Sequence, residues 1–211
     1  MANITKEVWK IIEGDLAIEK NLAQELINIR ALARYLIERY SLKASLDSVI
    51  SAIRRFETKT KFIEVEKKMH NLFKEAIIKS RNNVVCITIS HNEDILDIIK
   101  NMKKADGIRI AVGSTSSKFM IDESRLKEIT PSVSSRLIEK IERDLSELSV
   151  TIDEKAIKTK GVLARIANEI SLANINIEEF VISPPEFLIY VKQEHILKTY
   201  ESVLKLRNKG L

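Results

Sequence analysis

The residues best placed to bind a small molecule lie in one stretch, Ile157 to Phe180, with the sequence IKTKGVLARIANEISLANINIEEF. Gly161 stands where the apolar spacing predicts that an amphipathic helix begins, and the amides of a helix's first turn have no partner within the helix. Together with the helix dipole, those amides favour a carboxylate. The sequence therefore predicts a small-anion site at the helix start, formed by Lys160, Gly161, Val162 and Leu163.

Polar side chains on both sides of this helix extend the predicted site. Asp153 and Glu154 precede the loop and can receive an ammonium group. Asn174 and Asn176 follow the helix, and their amides both donate and accept hydrogen bonds. An amino acid, which carries both charges, meets these requirements. The alternative is that Gly161 only serves the turn and that the two asparagines end the helix in solvent.

The sequence offers no arrangement typical of catalysis or of a metal site. His70, His91 and His195 are scattered over three predicted elements, and none stands at metal-ligand spacing from another histidine or a cysteine. With five glycines and no phosphate-loop motif, the chain has no glycine-rich nucleotide cradle. Cys86 lies in an apolar run, which favours a buried strand residue over a nucleophile. We expect neither enzyme activity nor a cofactor.

The composition is that of a soluble globular protein. Of its 211 residues, 45% are hydrophobic, which is enough to fill cores. No apolar run approaches the roughly 20 residues that span a bilayer, and the amino terminus lacks the apolar segment of a signal peptide. A single cysteine permits no internal disulfide. We expect a cytoplasmic protein without a membrane partner.

Positive charge is concentrated in one segment of the chain. Residues 1–29 carry a net charge of −2, residues 30–81 carry +7, and residues 82–211 carry none. A basic segment beside a neutral one is typical of a nucleic-acid-binding module attached to another domain, although a solvated helical surface gives the same count. Both interpretations stay open.

The basic segment contains two predicted helices, NIRALARYLIERY and LDSVISAIRRF, and Ser45 would cap the start of the second. Their short link, SLKA, makes the pair similar to a helix-turn-helix that could bind DNA. The alternative is a helical bundle that supports dimerisation. Candidate phosphate contacts are the basic residues of this region: Arg30, Arg34, Arg39, Lys43, Arg54 and Arg55.

From residue 84 onward, one order of predicted elements occurs twice: strand, helix, strand, strand, helix. Ile95 matches Val162 and Phe119 matches Phe187, at nearly the same separation along the chain, which indicates a duplication. This order is typical of a ferredoxin-like split βαβ unit. Neither unit shows a further core strand, so we expect the units to complete one another or to be completed by a dimer partner.

The predicted fold class is α+β, with an N-terminal helical domain followed by two ferredoxin-like βαββα units. The predicted segments are a helix-turn-helix-like domain (1–58), a connector helix (59–81) and two units (82–146 and 147–211). The connector helix has an alternative, in which AIIKS forms a hairpin with VVCITIS.

The second unit, TIDEKAIKTKGVLARIANEISLANINIEEFVISPPEFLIYV, resembles an ACT domain, the small regulatory module that binds amino acids. Gly161 and the segment ANINIEE, Ala173 to Glu179, carry the resemblance, although the family commonly has proline where Lys160 stands. The tandem order is similar to the regulatory region of aspartokinases. With its helical head, the chain resembles uncharacterised archaeal regulatory proteins.

The resemblance implies an allosteric amino-acid sensor that is a homodimer or a higher oligomer, with ligands at interfaces between ACT modules. The connector helix would couple ligand binding to a head that contacts DNA. One alternative is a head that contacts protein, and another is an assembly module whose loop has lost its ligand. The first unit has HNED in place of the glycine, so its site is expected to be degenerate.

Overall fold

The computed structural model describes residues 4–56, 59–90, 107–129, 131, 133, 135–154 and 158–208. It divides into two compact units, Met1–Lys68 and Met69–Gly210. The α+β class is confirmed, since helices form the first unit and an antiparallel sheet with helices forms the second. The boundaries of the four predicted segments stay a prediction.

The first unit is built from amphipathic helices around one apolar core. Asp15, Asn28 and Ser45 cap the starts of its second, third and fourth helices through their side-chain oxygens. The indole Nε1 of Trp9 donates to the carbonyl of Ala52 at 2.9 Å, which joins the first helix to the fourth. The helices are α1 (Ile4–Gly14), α2 (Leu16–Ala23), α3 (Ile29–Tyr40) and α4 (Leu46–Arg54).

Helix α5 (Lys59–Lys74) is shorter than the predicted connector, and a strand begins at Ile77. Ile77 pairs with Thr151 of a neighbouring strand, so sheet hydrogen bonds replace the helical ones that the apolar spacing suggested. The alternative hairpin does not form either, because residues 77–90 make one continuous strand.

The described part of the second unit contains a six-stranded antiparallel sheet with the order β2-β3-β1-β4-β6-β5. Its strands are β1 (Ile77–Ser90), β2 (Arg109–Val112), β3 (Ser116–Asp122), β4 (Ile138–Thr151), β5 (Glu179–Ser183) and β6 (Glu186–Lys192). Its helices are α6 (Leu126–Ile129), α7 (Val162–Leu172) and α8 (Ile196–Asn208). The helix predicted between β1 and β2, with Ile95 and the segment HNED, lies outside the described residues.

The two long strands, β1 and β4, link the two halves of the sheet, which we call half-sheets. Each has 14 residues, and each carries a residue with positive φ at its seventh position, Asn83 (55°) and Asp144 (57°). Before Asn83, β1 lies beside the second half of β4; after it, β1 pairs with β3 and with the first half of β4. Residues 77–81 of β1 therefore complete the half-sheet of β4, β6 and β5, and residues 138–144 of β4 complete the half-sheet of β1, β3 and β2. Because these segments lie in the predicted connector and in the predicted first unit, the completion of one predicted unit by the other stays a prediction.

Strand register corrects the predicted alignment of the repeat. Val84 and Leu145 are equivalent because each follows the residue with positive φ in its long strand. Val84 lies opposite Asp122 and Leu145 lies opposite Lys192, so Asp122 and Lys192 hold equivalent positions at the ends of β3 and β6. Counted back from these ends, Phe119 corresponds to Ile189 and not to Phe187. The predicted alignment matched similar side chains, whereas the backbone pairing is displaced from it by two positions.

The register between β1 and β4 shifts at Asn83 and at Asp144, and we call these two positions the bulges. The sheet is folded there, so that one face of the first half-sheet lies against one face of the second. Lys118 of β3 forms an ion pair with Glu179 of β5, although four strand spacings, roughly 19 Å in a flat sheet, separate these strands. Residues from both halves form one apolar cluster on this face: Val84, Cys86, Met120, Leu145, Leu188 and Tyr190. Bulges are a known means of turning strands from one packed sheet into another. The opposite face packs against the helices.

Candidate functional site

The loop that begins the predicted site is anchored at one end by the sheet. The amide of Ile152, which is buried, donates to the carbonyl of Pro185 at 3.1 Å. Asp153 and Glu154 follow and are exposed, as is Lys160. Charged side chains therefore lie on the solvent side of the loop, while its strand end is held in place.

Gly161 forms the start of α7 in a conformation that other residues adopt at a cost. Its φ is +88°, and its carbonyl accepts the amide of Arg165 at 2.9 Å, the first hydrogen bond of the helix. A glycine has no side-chain oxygen to cap the amides of the first turn. The helix start therefore presents backbone donors and the positive end of the helix dipole.

The helix start is closed on one side and open on the other. Val162 is 3% exposed and belongs to the same apolar core as Met69 of α5. The Met69 methyl carbon would lie 3.6 Å from a Cβ added at Gly161. Leu163, in contrast, is 43% exposed. A ligand could reach the amides from the side of Lys160 and Leu163.

The structure separates the two asparagines from this helix start. Helix α7 has 11 residues, which is about 16 Å, and Asn174 and Asn176 follow its far end. Asn174 has a positive φ of 56° and ends the helix, while the Nδ2 of Asn176 donates to Glu178 at 3.2 Å. Within one copy of the chain, Lys160 to Leu163 lie together and the asparagines lie elsewhere.

A half-buried ion pair on the inner face of the sheet was not predicted from the sequence. Arg81 donates through an NH2 group to Glu147 at 2.8 Å, and the same carboxylate accepts the hydroxyl of Tyr190 at 2.6 Å. Burial, then the charge of Glu147, raises the pKa of Tyr190, so its hydroxyl stays a donor. We call this group, together with Arg109, the arginine end.

A second polar group occupies the equivalent position of the other half-sheet. Cys86, Glu142 and Glu179 place a sulfur and two carboxylate oxygens within 4.8 Å of one another, a set that could hold a metal ion. Lys118 pairs with Glu179, and Lys140 pairs with Glu142 at 2.7 Å. These ammonium groups already neutralise the carboxylates. We call these five residues the glutamate end.

Cys86 is buried and unreactive in the folded protein. Burial, and then the negative charge of Glu179, raises the pKa of its thiol from 9.0 to about 11. The thiol is therefore protonated at neutral pH and is a weak nucleophile. This environment agrees with the prediction of a buried strand residue.

Neither end was predicted, because each depends on strand register. The strand segments IIKSRNN and IEKIERD carry charged residues at inward positions, which was the available signal. That signal requires knowing that β1 begins at Ile77 and that Arg81 lies opposite Glu147. Only non-local pairing provides this information.

The residues predicted to contact DNA are all exposed on α3, on α4 and in the segments that follow them. Arg55 is already engaged: its Nε donates to the carbonyl of Ser51 at 3.2 Å, and an NH2 group donates to the hydroxyl of Thr5 at 3.1 Å. Arg55 thus supports the end of α4 and its contact with α1. The other five are exposed side chains: Arg30, Arg34, Arg39, Lys43 and Arg54.

Among the described residues, no helix combines the length and apolarity that a membrane span requires.

Comparison with known proteins identified neither a matching family model nor a matching curated protein. Solved structures do match. Aspartate kinase from Clostridium acetobutylicum has a TM-score of 0.52 at 19% identity, over 62% of this chain and 34% of the enzyme. The Synechocystis aspartate kinase has a TM-score of 0.52 at 14% identity, over 64% of this chain and 27% of the enzyme.

The regulatory subunit of aspartate kinase from Thermus thermophilus matches over nearly its whole length. The TM-score is 0.51 at 15% identity, over 61% of this chain and 95% of the subunit. The chain thus spans about a third of the clostridial enzyme but almost all of this subunit. At these identities the comparison establishes the fold alone: about three fifths of the chain shares the fold of an aspartate kinase regulatory subunit, as the ACT resemblance implied.

Proposed function

We propose that this protein is a non-catalytic regulatory protein that senses an amino acid at the start of α7. The observation that carries the proposal is the open, glycine-started helix at Gly161, within a fold shared with a regulatory subunit of aspartate kinase. In this proposal, the amides of Val162 and Leu163 receive the ligand's carboxylate, and Lys160 adds positive charge.

The ammonium group of the ligand would be received by Asp153 and Glu154, on the exposed strand side of the loop. Asn174 and Asn176 cannot join the same site within one copy, because the length of α7 separates them from Gly161. We propose that they contribute from a second copy in a homodimer or larger oligomer. Both asparagines have solvent-accessible surface that such a partner could reach.

Ligand binding would reach the helical head through α5. Met69 of α5 packs in the core with Val162, beside the proposed carboxylate site. A ligand shifts the head only if it binds one arrangement of α5 more tightly than another. This differential affinity is the quantity that couples the site to the head.

The proposed target of the head is DNA, contacted by the exposed basic residues of α3 and α4. DNA binding through several phosphate contacts weakens steeply as salt concentration rises. Replacing Arg30 and Arg34 with glutamine should therefore reduce both the affinity for DNA and the slope of its salt dependence. A salt-independent affinity would contradict this part of the proposal.

A second candidate target is another protein. Leu16 and Leu26 of the head are 72% and 71% exposed, and Tyr35 is 48% exposed. Exposed apolar side chains of this size favour protein contacts. Loss of partner binding in Leu26→Ser, with DNA affinity unaffected by Arg30→Gln, would support this candidate over DNA.

A thermal-shift panel of the twenty amino acids tests ligand binding. A ligand that binds only the folded protein raises the Tm. We expect at least one amino acid to do so, and we expect the shift to be lost in Gly161→Val and reduced in Lys160→Glu, whose carboxylate repels the ligand's. Gly14→Ala, at a glycine with no heavy atom within 4 Å of an added Cβ, is the matched control. A panel in which no amino acid raises the Tm would favour the assembly module without a ligand.

A further inference from the structure

At equivalent backbone positions, the arginine end carries two arginines where the glutamate end carries two glutamates. In the strand register, Arg81 of β1 lies opposite Glu147 of β4, and Glu142 of β4 lies opposite Cys86 of β1. Arg81 and Glu142 therefore hold equivalent positions on the two long strands. In the same way, Arg109 of β2 lies opposite Met120 of β3, and Glu179 of β5 lies opposite Tyr190 of β6. Arg109 and Glu179 therefore hold equivalent positions on β2 and β5. The duplicated half-sheets therefore place two cations at one end of the inner face and two carboxylates at the other.

The two ends differ in how these charges are compensated. At the glutamate end, each carboxylate has its own ammonium partner, in the pairs Lys118–Glu179 and Lys140–Glu142. The bond to Glu179 raises the pKa of Lys118, so this lysine stays charged. The glutamate end is neutral.

The arginine end, as far as the chain is described, has two guanidinium groups but one carboxylate, that of Glu147. This carboxylate is 6% exposed and already accepts bonds from Arg81 and Tyr190. Among the described residues, the Nε atoms of Arg81 and Arg109 are both buried and have no hydrogen-bond partner. Within this group, two buried N–H donors therefore have no acceptor, and one positive charge has no carboxylate to balance it.

Both arginines lie near Tyr190 on the inner face. The Nη1 atom of Arg81 donates to the carbonyl of Gly107 at 2.9 Å, and Gly107 is two residues before Arg109. The charges of both arginines act on the hydroxyl of Tyr190. Outside this group, the carboxylate of Asp122 accepts the amide and the hydroxyl of Ser124, and its charge also interacts with that of Arg81.

We propose that the arginine end binds a small oxyanion, a phosphate or a carboxylate, between Arg81 and Arg109. A guanidinium group presents a fork of N–H donors that matches two oxygens of such an anion. The ligand would accept bonds from the unpartnered donors and would balance the extra charge. Because this site lies on the inner face of the sheet, it is distinct from the helix start at Gly161, on the helical side.

Differential scanning fluorimetry of the full chain in chloride-free buffer tests the site, with inorganic phosphate in one arm and acetate in the other. We expect at least one of these anions to raise the Tm saturably, beyond the effect of potassium chloride at equal ionic strength. The arm that responds identifies which oxyanion binds. An equal response to chloride would overturn the proposal, because it would show screening alone.

Variants of Arg109 make the test specific. Arg109→Gln removes a guanidinium without breaking the Arg81–Glu147 pair, so we expect the apparent Kd to rise about tenfold or more. Arg109→Lys keeps the charge and loses the fork, and should bind with intermediate affinity, which covers the case in which the glutamine variant folds poorly.

Two further variants serve as controls for this experiment. Lys140→Gln, at the glutamate end, is the matched control and should bind the oxyanion as the wild type does. Gly161→Val should retain the response to the oxyanion, which separates this result from that of the amino-acid panel. Wild-type affinity in both Arg109 variants would overturn the proposal.

Discussion

The thiol of Cys86 is held in an environment that suppresses its reactivity. With a pKa of about 11, it is almost entirely protonated at neutral pH, and it is also inaccessible. We expect iodoacetamide to leave the folded protein unmodified for hours and to label it fully once guanidinium chloride has unfolded the chain. Mass spectrometry measures both states. Rapid labelling of the folded protein would contradict the structure at β1.

The hydroxyl of Tyr190 leads to a prediction about stability. Tyr190 is fully buried and donates to Glu147, so Tyr190→Phe leaves a buried carboxylate with one donor fewer. We expect the free energy of unfolding to fall by about 1–3 kcal/mol. Urea denaturation measures it, with Tyr35→Phe on the exposed head as the control. Equal effects of the two changes would show that the hydrogen bond does not stabilise the fold.

For individual residues such as these, local sequence predicted the environment but not the partners. Cys86 was predicted to be a buried strand residue, and it is fully buried on β1. Its neighbours, Glu142 of β4 and Glu179 of β5, lie far from it in the sequence, and local patterns contain no information about them. Gly161 was found from the helical pattern alone, because a helix start is a local feature.

Among the helices and strands, sheet pairing determines where α5 ends and β1 begins, which helical periodicity did not predict. The apolar spacing that predicted a connector to residue 81 is helical as far as Lys74, where α5 ends. Beyond it, β1 pairs with β4, and this pairing is non-local. The sequence predicted that each unit would lack a core strand; the segments that complete the half-sheets, residues 77–81 and 138–144, were not identified from it.

The two bulges lead to a prediction about the corners of the sheet. Asn83 and Asp144 adopt φ values of 55° and 57°, which asparagine, aspartate and glycine tolerate and β-branched residues do not. We expect Asn83→Val and Asp144→Val each to lower the free energy of unfolding by about 1–3 kcal/mol. The corresponding glycine variants should cost less than the valine variants. Chemical denaturation of the four proteins checks this order, and an equally small loss from the valine changes would mean that the bulges do not set the fold of the sheet.

For the protein taken together, the sequence predicted the class and the duplication but not how the half-sheets meet. The α+β class followed from periodicity, and the repeat followed from the order of elements. That the half-sheets face each other required the contact between Lys118 and Glu179, which lie on strands far apart in the sheet. Only after this folding do the two arginines come together at one end of the inner face and the two glutamates at the other.

Three titratable groups of this inner face lead to a prediction about alkaline pH. The pKa values of Cys86, Tyr190 and Lys118 are all raised in the folded protein, so the unfolded chain releases these protons first. Their stabilisation is present below the unfolded pKa values and is lost as pH rises through the folded ones. We expect the free energy of unfolding to fall between about pH 9 and 11.

The variant Cys86→Ala isolates one of these contributions. It should show a smaller loss over the same pH interval, by on the order of 1–2 kcal/mol, whatever its stability at neutral pH. Urea unfolding at several pH values measures the difference. Identical pH profiles for the variant and the wild type would contradict the assigned environment of the thiol.

The proposed function depends above all on amino-acid binding at the start of α7. The NMR signals of the backbone amides in that turn report directly on this binding. ¹⁵N-labelled protein would be titrated with each amino acid while the amide signals of Val162, Leu163 and Ala164 are followed. We predict that at least one amino acid shifts these signals saturably and that the shifts are reduced in Lys160→Glu. If none of the amino acids moves these amides, or if the ligand that stabilises the protein perturbs only other regions, the helix start is not the sensing site.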